Sequence, residues 1–273
     1  MDISSLVDLY VSDGYELVDA YAKIAQDVIL YKISKSSMNE NVTIKGGVVI
    51  HNISKDKRRA TRDIDIDFIR YSLNDDAIIG FIEKLNSIDD EININIVNKI
   101  EKLHHQDYDG KRVYVSLIDK NNYRVDTKLD IGVHKNLDIM QEKYCFELDV
   151  LNKSVTLFIN SMEQMFSEKL KSLVKFGSLS TRYKDVFDFY YLINFGNLDR
   201  NKLEEYVSAI IFSDETLNTY SFDDIYNKIS LVFNNKRFIF NLSNVKVNWL
   251  DVPIKEVISC ILNYIEAFIK IEV

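Results

Sequence analysis

DIDIDFI, at residues 63–69, alternates acidic and apolar side chains without interruption. Successive side chains of a strand point to opposite faces of a sheet, so Asp63, Asp65 and Asp67 share one face and the isoleucines share the other. The apolar face predicts packing against a core, and the acidic face is left for solvent or for a ligand. Carboxylates spaced in this way repel one another by roughly 2 kcal/mol per pair, and a divalent cation would reverse that cost.

A second acidic strand is predicted at residues 123–131, where Asp126 and Asp130 lie on one face. If this strand lies next to the first, one of its aspartates joins the earlier acids, and three carboxylates can hold the two cations of a metal-assisted phosphoryl transfer. Periodicity alone does not choose between Asp126 and Asp130, and it leaves the role of Asp67 open. A solvated edge strand explains the acidic face of the first strand equally well.

The hydrophobic periodicity divides the chain into two regions. Strand-like alternation dominates up to residue 159, with Asp109-Gly110 as a turn, and only helical spacing follows. The sequence therefore predicts an α+β fold: a mixed β-sheet with flanking helices over residues 1–159, and an all-helical lobe over residues 160–273. Predicted strands are 42–45, 91–97, 112–118, 146–150 and 155–158, and predicted helices are 15–34, 73–88, 161–176, 181–194, 200–212, 221–232 and 254–271.

The composition is that of an ordinary well-packed protein. Of the 273 residues, 47% are hydrophobic, and the formal net charge is −8. This charge argues against a protein coated in basic surface, so any contact with nucleic acid must be local. No apolar run approaches the length that spans a bilayer, and the first residues lack the pattern of a signal peptide. We therefore expect a cytoplasmic protein with no membrane partner.

Gly46 and Gly47 stand between a predicted strand and the apolar start of a predicted helix. Backbone amides at this position can approach phosphate oxygens, because glycine has no side chain in the way. The next loop could attract a polyphosphate or RNA backbone, although most of its basic residues fit a solvated loop. These residues are Lys55, Lys57, Arg58, Arg59 and Arg62. The four histidines do not have metal-site spacing: His51, His104, His105 and His134.

Lys169 lies in the middle of the apolar stripe of a helix that is predicted to start after Ser161. Its ammonium group must reach water or an anion, so it either holds nucleotide phosphates or extends along apolar surface to solvent. On the next helix, Asp185 and Asp188 share one side, a mildly unfavourable pair unless another group compensates. Lys184 is placed to compensate Asp188, so Asp185 has both a structural and a site interpretation.

Four separated blocks of this sequence resemble the AbiEii/AbiGii toxin family of bacterial nucleotidyltransferases, distant members of the polymerase-beta superfamily. The blocks are Gly46-Gly47 with RATRDID (59–65), KLDIG (128–132), SEKL (167–170) and RYKDVFDFYYL (182–192). Their order, and their division between the sheet and the helices, agree with that family. Val48 and Asp67 depart from the family pattern.

The resemblance implies a role for each matched residue. In the sheet region, Gly46 and Gly47 would contact the nucleotide, Asp63 and Asp65 would bind metal, and Asp130 would be the third carboxylate.

In the helical region, the resemblance implies that Lys169 would hold phosphates. Lys184 and Asp185 would form the Lys-Asp motif of the family. The helical region would then close over the active site.

The resemblance also implies a function, because family members are toxins of toxin–antitoxin and abortive-infection (phage defence) systems. Some members transfer nucleotides to tRNA, and others bind GTP. We therefore expect transfer of NMP from an NTP to a nucleic-acid acceptor such as tRNA, with Mg²⁺ or Mn²⁺ as cofactor and pyrophosphate as product. The substrate would be GTP or a pyrimidine NTP, and the partner a cognate antitoxin encoded nearby.

Two other functions fit part of the pattern. A DxD glycosyltransferase would use Asp63 and Asp65 to hold a metal-bound nucleotide sugar, but it gives the Lys169 helix and the Lys184-Asp185 helix no purpose. A non-catalytic nucleotide-binding regulatory module would keep the sheet and lose the chemistry, which the full set of acids argues against. Transfer to a protein acceptor remains open within the transferase interpretation.

Overall fold

The fold is that of a computed structural model, which describes residues 2–89, 91–103, 110–134, 139–148, 151–244 and 246–269. The chain divides into two compact units, Met1–Asn160 and Ser161–Val273. The helices described in the first unit are α1 (Ile3–Ser12), α2 (Leu17–Lys35), α3 (Gly46–Ser54) and α4 (Asp75–Asn86). Its described strands are β1 (Val42–Lys45), β2 (Asp63–Phe68), β3 (Ile92–Ile96), β4 (Glu101–Leu103), β5 (Gly110–Asp119), β6 (Arg124–Val133), β7 (Glu142–Leu148) and β8 (Lys153–Ile159).

These strands form one mixed sheet in the order β3-β5-β6-β2-β1-β8-β7, with β4 beside β5. The pairs β1–β8 and β2–β6 are parallel, and the other strand pairs are antiparallel. The central strand β2 keeps the predicted alternation: Ile64, Ile66 and Phe68 are completely buried, while Asp63 and Asp65 are half-buried. Burial of each such apolar side chain contributes about 1.5–3 kcal/mol, which fixes the face on which the acids lie.

The described residues of the second unit contain helices and no strands. Its helices are α5 (Met162–Phe176), α6 (Tyr183–Phe195), α7 (Arg200–Val207), α8 (Phe222–Phe233), α9 (Lys236–Leu242) and α10 (Ile254–Ile269). Helix α5 starts as predicted, because the Ser161 hydroxyl accepts a hydrogen bond from the Gln164 amide at 3.2 Å. The predicted α+β class, with a mixed sheet followed by helices, is confirmed.

Some elements differ from the sequence prediction. Helices α1 and α9 and the short strand β4 were not predicted, and β7 begins four residues before the predicted strand at 146–150. Strand β4 has only three residues, and its position depends on pairing with β5, which local periodicity does not reveal. In the predicted turn at Asp109-Gly110, Asp109 lies outside the described residues.

Within the described ranges, no helix is both long enough and apolar enough to cross a membrane.

Candidate functional site

Four charged residues lie side by side across the sheet, one on each of four neighbouring strands. Asp65 of β2 is the register partner of Asp130 on β6 and of Lys45 on β1, and Asp130 is also the partner of Arg112 on β5. Neighbouring strands are about 4.8 Å apart. This charged row reads Arg112, Asp130, Asp65, Lys45. The two central carboxylates would destabilise the sheet by themselves, and the outer cations offset that repulsion.

The register decides between the two aspartates of β6. Asp130 lies opposite Asp65, whereas Asp126 lies opposite Ser116 of β5. The Asp126 carboxylate accepts a hydrogen bond from Ser116 Oγ and another from Arg124 Nε at 2.6 Å. Its hydrogen bond from Arg124 holds the pKa of Asp126 below the usual value. Asp130 is therefore the aspartate that joins Asp65.

Two of the predicted metal ligands are paired with basic side chains. Arg112 donates Nε and Nη2 to the two oxygens of Asp130, each at 2.7 Å, and this pairing raises the pKa of the guanidinium. Asp130 is only 7% exposed, so the paired carboxylate has one fixed orientation. Lys128 Nζ lies 3.0 Å from Asp63 Oδ1 in a partly exposed pair.

Asp67, whose role the sequence left open, forms an ion pair with Lys45. The Lys45 Nζ to Asp67 Oδ1 distance is 2.6 Å, and both side chains are almost completely buried. A buried carboxylate is costly unless it is paired, and Lys45 meets that requirement. Asp67 thus has a structural partner, and Lys45 is a site-lining residue that the sequence analysis did not identify.

Gly46 and Gly47 form the first turn of α3, against the acidic strand. Gly46 has a φ of +66°, and a Cβ on it would stand 2.5 Å from Asp65 Oδ2. A Cβ on Gly47 would stand 2.8 Å from the side chain of Thr61. Gln26 Nε2 donates to the Thr61 carbonyl at 2.7 Å and so holds this loop against α2. Glycine is required here because the helix start, the Asp65 carboxylate and Thr61 approach so closely.

The basic loop after α3 is largely paired with acids of the first unit. Lys55 pairs with Glu147, Lys57 with Asp13 at 2.9 Å and Arg62 with Asp19 at 3.2 Å. These three basic residues are exposed, as expected for a solvated loop. Arg59 differs from them, because it is only 4% exposed.

Mg²⁺ prefers hard oxygen ligands and normally takes one or two carboxylates together with substrate phosphates. Asp65 and Asp130 offer two carboxylates on adjacent strands, next to the backbone of Gly46, which has no side chain of its own. Across the described ranges, no three His, Cys, Asp or Glu side chains are arranged to hold a metal. The two-carboxylate pair fits a cation that arrives with phosphate ligands, and the three-carboxylate set that includes Asp63 stays a prediction.

The two described histidines have structural partners. His51 shares hydrogen bonds with Tyr15 Oη at 3.2 Å and with the Asp56 carbonyl at 3.1 Å, and burial lowers its pKa to about 4. His134 Nε2 lies 2.9 Å from the Ile139 carbonyl. His104 and His105 lie outside the described residues.

In the second unit, Lys169 of α5 contacts two aspartates of α6. Its Nζ is 2.6 Å from Asp185 Oδ1 and 3.0 Å from Asp188 Oδ2. Asp188 is completely buried, and Lys169 and Asp185 are mostly buried. We call these three residues the Lys169 cluster. The sequence offered Lys184 as a cation for Asp188, and the structure adds Lys169 from the neighbouring helix. Lys184 itself is half-buried in the first turn of α6.

The family assignment rests on residues 28–240. A family model described as the nucleotidyl transferase AbiEii toxin of type IV toxin–antitoxin (TA) systems matches this range. The chain belongs to the AbiEii toxin family. The resemblance seen in the four sequence blocks is thereby confirmed. Both the charged row and the Lys169 cluster lie inside the matched range, whereas helix α1 precedes it.

Among solved structures, this AbiEii chain is similar to an antigenic nucleotidyltransferase-like protein from Paracoccidioides brasiliensis. The two share 16% sequence identity, with a TM-score of 0.42, and the similarity covers 78% of this chain and 97% of that chain. No curated protein matches the sequence.

Proposed function

We propose that this AbiEii protein transfers NMP from an NTP to a nucleic-acid acceptor, with a tRNA 3′ end as the preferred acceptor. One observation carries the proposal: the sheet register pairs Asp65 with Asp130, beside the helix start at Gly46. Two adjacent carboxylates next to a helix N-terminus suit a metal-bound triphosphate. The family description supports nucleotidyl transfer as the class of reaction.

In the proposed reaction, the acceptor hydroxyl oxygen bonds to the α-phosphorus of the NTP. The bond from that phosphorus to the bridging oxygen breaks, pyrophosphate leaves, and the hydroxyl proton passes to solvent. When bound, Mg²⁺ or Mn²⁺ held by Asp63, Asp65 and Asp130 would neutralise triphosphate charge and acidify the hydroxyl. The amides of Gly46 and Gly47 would face phosphate oxygens. Since Arg112 already binds both oxygens of Asp130, we assign Asp130 to holding the metal and not to proton transfer.

The helical unit contributes separate predictions. Lys169, Lys184 and Asp185 are proposed to act on the nucleotide, as their place in the matched family range suggests. The contacts within the Lys169 cluster supply a structural role for two of them, so loss of activity in their variants must be measured together with stability.

The proposal extends to the biology that the family description names, a type IV toxin–antitoxin system. We propose a toxin that acts in abortive infection, in the cytoplasm, where NTPs and tRNA are present. Its partner would be a cognate antitoxin encoded nearby, and its substrate would be GTP or a pyrimidine NTP.

The test is incubation of the protein with total RNA, Mg²⁺ and each NTP in turn, labelled at the α-phosphate. We expect label in RNA with the wild-type protein, none with Asp65→Ala, and normal transfer with Asp126→Ala. The control is matched because Asp126 is an aspartate of the same sheet face whose partners are Arg124 and Ser116.

The other outcomes separate the rival functions. Nucleotide binding without transfer to RNA or protein favours a regulatory module, and transfer of a sugar from a nucleotide sugar favours a glycosyltransferase. If label appears in a protein, and this labelling requires Asp65, the chain is still a transferase but its acceptor is a protein.

A further inference from the structure

The carboxylates of the candidate site already have cationic partners within the sheet. Arg112 holds both oxygens of Asp130 at 2.7 Å, and Lys128 lies 3.0 Å from Asp63. Lys45 is the register partner of Asp65 and lies 2.6 Å from Asp67. Four carboxylates therefore face three cationic side chains. This group of seven residues has one net negative charge, which is little for the binding of a divalent cation.

One carboxylate has a single negative charge, so it cannot fully neutralise a guanidinium group and a metal ion at the same time. The attraction between Asp130 and a divalent cation is opposed by repulsion from Arg112, which lies within one strand spacing of the same oxygens. The bidentate geometry increases this competition, because each Asp130 oxygen already accepts a charge-assisted hydrogen bond. Lys128 opposes a cation at Asp63 in the same way, through a single contact.

A nucleoside triphosphate changes this balance. Its phosphates bring negative charge and oxygen ligands, and they are also acceptors for a guanidinium or ammonium group. A metal that arrives with the triphosphate therefore faces less opposition than a metal alone.

We propose that Arg112 and Lys128 compete with the divalent cation for Asp130 and Asp63, so that the free protein binds metal weakly and takes it up together with the NTP. This inference rests on the proposed function and adds an order of binding to it. It makes Arg112 the residue that couples metal binding to the nucleotide.

The test measures Mn²⁺ binding by the loss of the electron paramagnetic resonance signal of free Mn²⁺. Wild type and Arg112→Met are titrated with and without an NTP analogue that has a methylene between the α- and β-phosphates, and the Mn²⁺ bound by the analogue alone is measured in a protein-free titration and subtracted. We expect the wild-type protein to bind Mn²⁺ at least about tenfold more tightly with the analogue. Without the analogue, Arg112→Met is expected to bind Mn²⁺ about tenfold more tightly than wild type.

The matched control is Arg124→Met. Arg124 also pairs with an aspartate on β6, at 2.6 Å, but that aspartate is Asp126 and the pair is exposed. This variant is expected to bind Mn²⁺ like the wild type, with and without the analogue.

Arg112→Met leaves Asp130 buried without this partner, so folding is checked by circular dichroism. Lys128→Met is the second variant, because its pair with Asp63 is partly exposed and its loss is tolerated more easily. Lys128→Met is expected to bind Mn²⁺ alone about threefold more tightly than wild type. Melting temperature gives an independent signal: Mn²⁺ should raise that of Arg112→Met more than that of wild type.

Two results overturn the inference. One is wild-type protein that binds Mn²⁺ equally well with and without the analogue. The other is unchanged or weaker Mn²⁺ binding in folded Arg112→Met or Lys128→Met, which would make the basic residues supports for the carboxylates. If the wild-type protein binds no Mn²⁺, either alone or together with any NTP analogue, the proposed function itself is contradicted. The two failures are therefore distinguishable.

Discussion

The charged row of the first unit and the Lys169 cluster of the second both balance aspartates with basic side chains, but the row includes a half-buried aspartate, whereas the innermost aspartate of the cluster has no contact with solvent. Asp65 is half-buried on a sheet face, and the spacing of its neighbours is set by backbone register. Asp188 is completely buried between helices. A charge in the first setting can exchange its partner for a ligand, whereas a charge in the second stabilises the fold. Similar residue types therefore have different consequences when they are removed.

The largest expected effect on stability comes from Lys169→Met. Removing this cation leaves Asp185 and Asp188 buried beside each other, and the free energy of unfolding should fall by about 3–5 kcal/mol in urea denaturation. Lys175→Met, on the exposed side of the same helix, should change it by less than about 0.5 kcal/mol. Equal effects of the two variants would contradict a stabilising role for the Lys169 cluster.

The next effect is the response of the first unit to acid. Burial lowers the pKa of His51 to about 4, so the folded state binds fewer protons than the unfolded state. Stability is therefore lost as the pH falls from the pKa of His51 in the unfolded chain towards 4. The loss should be about 2 kcal/mol between about pH 7 and pH 4.5. Denaturation of His51→Gln over this range should show a flatter pH dependence. An unchanged slope would contradict the burial of a neutral His51.

Alanine variants of two glycines distinguish the cost of left-handed backbone strain from an effect on the candidate site. Gly46 and Gly14 both have positive φ, but a Cβ on Gly46 would meet Asp65 and a Cβ on Gly14 would meet nothing within 4 Å. Each alanine variant should lose about 1–2 kcal/mol of stability through backbone strain. Only Gly46→Ala should also weaken binding of an NTP with Mg²⁺, by about tenfold in calorimetry. Normal binding by Gly46→Ala would show that this close approach is irrelevant to the nucleotide.

The smallest expected effect is a loss of stability at low pH that comes from the second unit. The hydrogen bond from Lys171 lowers the pKa of Asp214 to about 2, so this stabilisation is present above the unfolded value and is lost as pH falls towards 2. The loss should be about 1 kcal/mol between about pH 4.5 and pH 3, a lower range than that of His51. Lys171→Met should reduce this loss. Denaturation curves that retain the full loss in Lys171→Met would assign it to another group.

The sequence was sufficient where a local pattern determines the structure. Alternation predicted β2 and the face of its acids, and helical spacing with the Ser161 cap predicted α5 and the inward position of Lys169. Asp126 and Asp130 could not be separated, because they are four residues apart and therefore share a strand face. That choice needed the register between β2 and β6.

The cationic partners were also beyond the sequence analysis. Arg112 meets Asp130 through the pairing of β5 with β6, and Lys169 meets Asp188 through the packing of two helices. Neither contact follows from spacing within one element, because both depend on how distant segments align. The helix α9 was missed for a different reason: with seven residues, it is too short to be stable by propensity alone.

Calorimetric titration of an NTP in the presence of Mg²⁺ tests most directly whether the charged row is the nucleotide site. It compares the wild-type protein, Asp65→Asn and Asp126→Asn, each confirmed as folded. We predict that Asp65→Asn loses the Mg²⁺-dependent part of the binding, whereas Asp126→Asn keeps the wild-type affinity. Binding of the nucleotide with Mg²⁺ by Asp65→Asn at the wild-type affinity would contradict the assignment of the site to the charged row.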